Sequence, residues 1–304
     1  MGDIYASKTI ILDRGSYTQC TLNLYGANIT SWRIRNIEQL FVSTQAIADG
    51  KLAIRGGIPI VFPQYGPWQF GPHHGFARLM EWKIKQHPKK LENRDIEAIV
   101  YLEADYYSRS MWNFSFKAEY QIILQEYGIK LSITVFNQDK ESLNFNLLMH
   151  PYIQVPNMVN TKIVGLEGEF WDKTTDNLAE GVPIMKIYEF TDRVYKNTRS
   201  THILTNVMEN NKMKIEKENC PDTVIWNPGS ENAKKFIDLL ESEYARLICL
   251  ATGHADQHLK VLPNESSTMK LSMHIMRDDI LAELQKLYQR SSESDPKFEG
   301  GFIW

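Results

Sequence analysis

The sequence predicts an all-β protein, built as one large antiparallel β-sandwich with a few short helices. Runs of β-branched and aromatic residues are short and are separated by turn residues at close intervals, which is the pattern of antiparallel sheet. Helical periodicity is confined to two segments late in the chain, and strands and helices do not alternate as they do in a parallel α/β fold. We therefore expect one domain over residues 1–304, with a polar C-terminal tail from about residue 291.

The clearest strand signal is a long hairpin in the first half of the chain. Apolar residues alternate with polar ones from Trp112 to Ile122 and again from Ile129 to Val135, on either side of an interruption at 125–128. This period of two predicts strands with one buried and one polar face. The other predicted strands are 9–12, 17–25, 28–34, 97–104, 144–153, 161–166, 184–190, 202–207, 213–217, 223–226, 246–251, 258–261 and 267–276.

Two segments have the apolar spacing of amphipathic helices. The first covers residues 231–240, and Ser230 can cap its N-terminus. The second covers about 279–288 and follows the capping residue Asp278. The predicted apolar face of the first helix consists of Ala233, Phe236, Ile237 and Leu240.

Composition and charge exclude several classes of protein. A formal net charge of -3 without a basic stripe argues against a nucleic-acid partner. The longest apolar runs are too short to span a membrane, and the N-terminus has no apolar stretch of signal-peptide length, so we expect a cytoplasmic protein without a membrane partner. Cys20, Cys220 and Cys249 are widely scattered, which predicts buried thiols and neither a disulfide framework nor a metal site.

One irregular segment, from Arg55 to Trp82, differs from the regular strands. Its prolines, glycines, aromatic residues and adjacent histidines cannot sustain a helix or an ordinary strand. Ordered loops of this length are uncommon in compact domains and tend to be functional. The alternative is a packed corner whose charged side chains face solvent.

Several side chains in and beyond this segment could bind a ligand or react. His74 lies within it and His150 ends a predicted strand, so each could point into a cleft and exchange protons near neutral pH. Arg55 and Arg78 flank the segment, and two guanidinium groups brought together would clamp a phosphate or carboxylate. Asp192 could accept hydrogen bonds from sugar hydroxyls or only pair with the adjacent arginine. Ordinary surface or core roles stay open for all of these residues.

Ordered motifs across nearly the whole chain resemble the glucose-6-phosphate 1-epimerases, the hexose-6-phosphate mutarotases of the aldose 1-epimerase superfamily. An ordered set of motifs is much more specific than any one of them. The matching motifs are I-R-G-G-I-P at 54–59, H-G-F-A-R at 74–78, M-H-P-Y at 149–152, T-D-R-V-Y at 191–195, D-T-V-I-W-N-P at 222–228 and I-C-L-A-T-G-H at 248–254.

The resemblance implies a galactose mutarotase-like sandwich that opens and recloses the ring of a hexose 6-phosphate. One group takes the proton of the anomeric hydroxyl while another protonates the ring oxygen, so neither a cofactor nor a metal is implied. In the family pattern His150 is the acid at the ring oxygen, His74 holds and polarises the sugar, and Asp192 binds hydroxyls. Arg55 and Arg78 match the residues assigned to the 6-phosphate.

The sequence departs from the family pattern at two positions, the residue next to the candidate acid and the residue that serves as the general base in the family. Where the family has a glutamate that accepts the anomeric proton, this sequence has Ala251, which cannot accept a proton. Pro151 changes the familiar H-T-Y and removes a backbone donor next to the candidate acid. Three accounts of the alanine are open: Asp256 or His254 substitutes as the base, mutarotase activity is absent, or the alanine is an engineered replacement.

The leading hypothesis from the sequence is a glucose-6-phosphate 1-epimerase-like isomerase of carbohydrate metabolism. We expect it to act as a monomer on a small hexose phosphate. One alternative is a non-catalytic sugar-phosphate-binding protein, which the loss of the glutamate at Ala251 motivates. Another is a mutarotase for unphosphorylated aldoses, whose affinity for sugar would not depend on Arg55.

Overall fold

Antiparallel strands form most of the structure, which is a computed structural model that describes residues 8–276. The strands are β1 (Thr9–Gly15), β2 (Thr18–Asn23), β3 (Asn28–Ile34), β4 (Ile37–Glu38), β5 (Ile60–Val61), β6 (Lys83–Lys90), β7 (Ile96–Glu103), β8 (Phe116–Leu124), β9 (Gly128–Asn137), β10 (Leu143–Met149), β11 (Tyr152–Gln154), β12 (Lys162–Val164), β13 (Glu169–Asp172), β14 (Asn177–Glu180), β15 (Ile184–Met185), β16 (Thr191–Tyr195), β17 (Thr201–Thr205), β18 (Lys212–Glu218), β19 (Asp222–Asn227), β20 (Leu247–Val261) and β21 (Ser266–Met276). The helices are α1 (Tyr106–Met111) and α2 (Gly229–Ala233), with 3₁₀ turns at Ala77–Leu79, Met158–Asn160, Met208–Asn210 and Glu241–Arg246.

The strands pair into three sheets, all through antiparallel ladders. Sheet 1 has the order β1-β2-β3-β4. Sheet 2 has the order β14-β13-β16-β19-β20-β10-β5, and β11 also pairs with β20. Sheet 3 has the order β15-β12-β17-β18-β21-β9-β8-β7-β6. One continuous apolar core contains side chains from all three sheets, so the predicted all-β antiparallel architecture is confirmed.

The predicted long hairpin is confirmed as β8 and β9 in sheet 3. The two strands pair along their whole length, with Ile122 opposite Leu131 and Tyr120 opposite Ile133. Burial alternates along both strands, as the sequence period requires. The strand begins at Phe116, later than predicted, because Trp112 instead packs against the rings beneath the irregular segment.

A single long strand replaces the two strands predicted at 246–251 and 258–261. β20 runs without a break from Leu247 to Val261 and forms the centre of sheet 2. The polar residues that suggested a gap lie at its exposed end, where the register with β10 shifts between Phe145 and Leu147. The bulge lets the strand bend, and polar side chains there can reach solvent without ending the ladder.

The helix predicted at 231–240 is wrong in its extent and in its apolar face. α2 ends at Ala233, and Ile237 is 79% exposed where the sequence pattern places it inside. Phe236 turns away to pack against Trp226, with ring centroids 6.0 Å apart. This tertiary contact outweighs the weak intrinsic preference of a short helix. The helix predicted at 279–288 and the polar tail from about 291 lie outside the described residues.

A buried lysine ties the turn after β18 to the loop before β17. The ammonium group of Lys217 donates hydrogen bonds to the hydroxyl of Thr198 at 2.6 Å and to the carbonyl oxygens of Cys220 at 2.7 Å and Pro221 at 2.9 Å. The lysine is 7% exposed, so water cannot replace these bonds when the side chain is removed.

Replacing Lys217 by methionine is therefore expected to lower the free energy of unfolding by about 2–4 kcal/mol, because several buried acceptors lose their donor. Chemical denaturation of the two proteins measures the difference. Lys270→Met is the matched control, since Lys270 pairs with Glu218 at the surface and such pairs contribute only about 0–1 kcal/mol. Equal losses in the two variants would contradict the structural role of Lys217.

Candidate active site

A cleft of about 280 Å³ opens on one face of sheet 2. Its floor and walls combine side chains of β5, β16 and β19 with the residue that follows β10 and the irregular segment 55–82. His74, His150, Arg55, Arg78 and Asp192 all line it. Five polar side chains that are far apart in sequence thus line one cavity.

Strand register explains which residues of sheet 2 face the cleft. Asp192 on β16 lies opposite Trp226 on β19, and Val194 lies opposite Val224 in the next row of the same face. Because side chains alternate between the two faces of a strand, Asp192 and Val194 point to the same side as their partners. Asp192, Val224 and Trp226 all line the cleft, so this row forms part of its floor.

The irregular segment holds His74 in a backbone conformation that few side chains adopt. His74 has φ +65° and Gly75 has φ +75°, both in the left-handed region. A Cβ atom at Gly75 would lie 2.1 Å from the carbonyl oxygen of Phe62, so only glycine fits there. The backbone N–H of His74 donates to the carbonyl oxygen of Gly66 at 2.9 Å, which closes the loop.

The ring of His74 is fixed as a neutral hydrogen-bond donor. Its Nδ1 accepts a hydrogen bond from the backbone N–H of Gly66 at 2.9 Å, so the ring proton of the neutral imidazole lies on Nε2. Burial, together with the charge of Arg78, lowers the pKa of His74 well below its ordinary value. The ring stacks on Tyr65 with centroids 5.2 Å apart. Such a group can donate to a sugar oxygen and polarise it.

His150 lies at the end of β10 and is 7% exposed. Its ring centroid is 6.1 Å from that of His74 and 5.3 Å from that of Tyr152. Burial, together with the charges of Arg78 and Arg55, lowers the pKa of His150 to about 4. Among the described residues its Nδ1 has no hydrogen-bond partner, so this imidazole keeps an unsatisfied nitrogen inside the protein.

The two arginines of the cleft are held in different ways. The Nε of Arg55 donates to both carboxylate oxygens of Asp238 at 3.2 Å, and its guanidinium group lies 4.5 Å from the ring centre of Phe236. Arg78 donates from Nη2 to the carbonyl oxygen of His73 at 2.6 Å. No acceptor in the described part of the chain reaches its buried Nε.

Burial and the nearby charge of Arg55 lower the pKa of Arg78 to about 10. The group still carries its full positive charge at neutral pH. Among residues 8–276 no carboxylate forms an ion pair with this half-buried guanidinium, and such an arrangement is costly because charges inside proteins are normally paired. The cleft therefore holds an uncompensated positive charge that an anionic ligand would neutralise.

Asp192 shares its side of the cleft with a lysine. The Nζ of Lys173 lies 3.5 Å from Oδ2 of Asp192, and the backbone N–H of Lys173 donates to the carbonyl oxygen of Asp192 at 2.9 Å. Burial raises the pKa of Asp192 above its ordinary value, and the charge of Lys173 opposes that shift. The carboxylate is therefore a stronger base than an ordinary aspartate and lies in a partly dry position.

Comparison with known proteins places this fold and cleft in a family. Residues 8–274 match the family model described as aldose 1-epimerase. The chain belongs to the aldose 1-epimerase family. It is 31% identical over 267 residues to the "Putative glucose-6-phosphate 1-epimerase" of Cenchrus ciliaris, a match that covers 83% of this chain and 80% of that protein. It is 25% identical over 262 residues to the Escherichia coli K12 protein of the same name, covering 84% and 86%.

A solved structure shares the fold of this aldose 1-epimerase family member. The crystal structure of a "putative mutarotase (YeaD)" from Salmonella typhimurium superimposes with a TM-score of 0.80 at 22% sequence identity. The match covers 86% of this chain and 88% of that one. Among residues 8–276 no helix is long and apolar enough to cross a membrane. Over the same range no group of three or more His, Cys, Asp or Glu side chains could hold a metal ion.

Ala251, where the family resemblance implies a glutamate, lies in an apolar cluster at the floor of the cleft. Ala251 on β20 is opposite Val224, and it packs in a buried apolar cluster with Val61, Leu148 and Val194. Val61 and Val224 line the cleft, so a longer side chain at residue 251 would reach the cavity. The alanine leaves this part of the floor without a proton acceptor.

Neither substitute base suggested by the sequence lies in the cleft. Asp256 forms an ion pair with Lys196 at 3.0 Å, and His254 hydrogen-bonds the carbonyl oxygen of Asn219 at 3.2 Å. Neither residue lines the cavity. Both follow Gly253 in the part of β20 where the side chains become partly or fully exposed.

Sequence reasoning missed two charged residues of the cleft, Lys173 and Asp238. Lys173 directly follows the short strand β13, which was not predicted because its hairpin with β14 is polar and exposed. Asp238 lies in the segment predicted as a helix, where a single acidic residue looks like part of a solvated face. Lys173 pairs with Asp192, and Asp238 pairs with Arg55. Each pair joins residues that are far apart in the chain, so no local sequence pattern indicates it.

Proposed function

We propose that this protein interconverts the α and β anomers of a hexose 6-phosphate by acid/base opening of the sugar ring. The observation that carries the proposal is Arg78, a half-buried arginine whose buried Nε has no partner among residues 8–276 and which lines the same small cavity as His150. A phosphate group at Arg78 and Arg55 would satisfy the guanidinium and leave the sugar ring beside the imidazole. Membership in the aldose 1-epimerase family supports this reaction at the anomeric centre.

The chemistry follows from the groups around the ring. A base accepts the proton of the anomeric hydroxyl, the bond between C1 and the ring oxygen breaks, and His150 protonates that oxygen. The open aldehyde turns about its C1–C2 bond, and the reverse transfers close the ring on the other face. His74 donates its Nε2–H to a sugar oxygen, and Tyr152 and Trp226 pack beside the ring.

Phosphate binding would also prepare His150 for its role. Burial lowers the pKa of His150 and so favours the neutral imidazole, and the charges of Arg78 and Arg55 add to that effect. A phosphate dianion would neutralise the two guanidinium groups and raise the pKa of His150, which favours its protonated form while substrate is bound. The 6-phosphate would thus contribute to catalysis as well as to affinity.

A non-catalytic sugar-phosphate-binding protein is the second candidate function. The observation in its favour is the apolar surrounding of Ala251, which leaves the floor of the cleft without the expected base. Such a protein would bind the same ligand through the same arginines and leave its anomers at the spontaneous rate of exchange.

Two measurements on the purified protein separate these functions. Magnetisation-exchange NMR on glucose 6-phosphate gives the rate of anomer interconversion, and calorimetry gives the affinity. The proposal predicts binding together with exchange well above the spontaneous rate. Binding with no acceleration would establish the second candidate, and the absence of both would contradict the two functions together.

A further inference from the structure

We propose that Asp192 accepts the proton of the anomeric hydroxyl, the role that Ala251 cannot fill. This inference rests on the proposed function and identifies the residue that completes its chemistry. It makes Asp192 a catalytic residue and gives Lys173 a positioning role.

Of the acidic side chains that line the cleft, one has oxygen atoms available to a ligand. Within residues 8–276 the acidic side chains that line the cavity are Asp192 and Asp238. Both oxygens of Asp238 accept a hydrogen bond from Nε of Arg55 at 3.2 Å, and this pair is largely buried. Asp238 is therefore committed to holding Arg55. Asp192 has a single cationic neighbour at 3.5 Å and keeps oxygen lone pairs available for a ligand.

The strand order places Asp192 across the cleft from His150. β16, β19, β20 and β10 are consecutive neighbours in sheet 2, and His150 follows the last residue of β10. Strands lie about 4.8 Å apart, so three spacings and the offset of one row put the two backbones roughly 15 Å apart. Side chains of roughly 4–5 Å fully extended toward each other would leave a gap of about 5–7 Å, and side chains that stand partly upright on the sheet leave a wider one.

The reaction needs a distance between base and acid that is slightly longer than this lower limit. The anomeric oxygen and the ring oxygen of a pyranose lie about 2.3 Å apart, and a hydrogen bond of about 2.8 Å on each side brings the span to on the order of 8 Å. A base at Asp192 and an acid at His150 could therefore contact the two oxygens of one ring. The sugar would lie over the apolar floor at Val224 and Ala251.

The surroundings of Asp192 make it a stronger base than an ordinary aspartate. Burial raises its pKa, and Lys173 at the end of β13 opposes this, while Asp172 on the same strand adds to it. Tyr65 from the irregular segment and Cys249 on β20 also face this carboxylate, and burial keeps both of them neutral. Lys173 lies over the ring of Tyr65 at 5.1 Å, which fixes its ammonium group beside Asp192.

The step balances without any further reactant. Asp192 takes the proton from the anomeric oxygen as the C1–O bond to that oxygen becomes a carbonyl. The electron pair of the bond between C1 and the ring oxygen moves to the ring oxygen, which takes a proton from His150. On ring closure the C5 hydroxyl gives its proton back to His150 and protonated Asp192 gives its proton to the new anomeric oxygen, so both groups are restored for the next turnover.

The test compares kcat and KM for glucose 6-phosphate anomers in four proteins: wild type, Asp192→Asn, Asp192→Asn with Ala251→Glu, and Asp256→Asn. Asp192→Asn is expected to lower kcat by about 10²-fold or more with little change in KM, since the loss of a positioned general base removes this much rate. Ala251→Glu in the same background is expected to restore activity, because it returns a carboxylate to the cleft floor. Asp256→Asn is expected to match wild type.

A second variant gives a readout that a structural role would not produce. Lys173→Met removes the charge that opposes the raised pKa of Asp192, so the acid limb of the kcat profile should move to higher pH. Full activity of Asp192→Asn, or an unmoved acid limb in Lys173→Met, would overturn the inference while leaving the proposed function intact. A wild-type protein that does not accelerate anomer exchange would instead overturn the proposed function, and the base assignment with it.

Discussion

Replacing His150 by glutamine is expected to lower kcat for anomer exchange of a hexose 6-phosphate by about 10²–10⁴-fold, the usual contribution of a positioned acid. The imidazole is buried at the end of β10, where water cannot take over its role, and glutamine keeps a similar volume without a group that titrates near neutral pH. Ligand affinity should change little because the arginines stay in place. Exchange NMR and calorimetry on the same samples separate the two effects.

His254→Gln is the matched control for His150→Gln. His254 is also a histidine of sheet 2, but it hydrogen-bonds the carbonyl oxygen of Asn219 and does not line the cleft. Its variant should keep the kcat of the wild type. A His150→Gln protein that binds ligand and turns it over at the wild-type rate would contradict the assignment of His150 as the acid.

Replacing Arg78 by methionine is expected to lower kcat/KM for glucose 6-phosphate by roughly 10- to 150-fold, with little effect on unphosphorylated glucose. The range corresponds to one charge-assisted hydrogen bond of about 1.5–3 kcal/mol. Methionine retains the apolar stem that packs in the cleft wall but removes the guanidinium. Steady-state exchange rates over a range of concentrations of each sugar give kcat/KM for glucose 6-phosphate and for glucose.

Two further variants make the result of Arg78→Met interpretable. Arg78→Lys keeps the charge but loses the planar fork, so its loss should be intermediate. Arg199→Met is the control, since Arg199 pairs with Glu167 and its side chain is 72% exposed. Equal losses for the phosphorylated and the free sugar would show that Arg78 contacts the sugar ring and would contradict the phosphate clamp.

The alternating pattern of the sequence was sufficient to predict the sheet architecture. The hairpin of β8 and β9 was the most predictable part, because a period of two directly encodes one buried face. Polar edge strands were missed: β6, which contains Pro88, has few apolar residues to alternate since it lies at the edge of sheet 3. The helix at 231–240 was wrong because contacts of Phe236 with distant residues determine that segment.

The sequence indicated those candidate site residues that lie within recognisable motifs. His74, His150, Arg55, Arg78 and Asp192 were selected from the sequence, and the fold brings them to one cleft. The sequence could not show the electrostatic partners of these residues, because Lys173 and Asp238 meet them only through the pairing of strands and loops far apart in the chain. The sequence also could not show that Asp256 and His254, the two suggested substitute bases on β20, do not line the cavity.

A competition between glucose 6-phosphate and glucose in one sample tests the central claim most directly. Magnetisation-exchange NMR resolves the anomeric protons of both sugars, so each rate is measured with the same protein under the same conditions. The account predicts that the protein accelerates exchange of the phosphorylated sugar at least about tenfold more than that of glucose, the ratio that one charge-assisted contact with phosphate supplies. Equal acceleration of the two sugars, or none for glucose 6-phosphate, would contradict it.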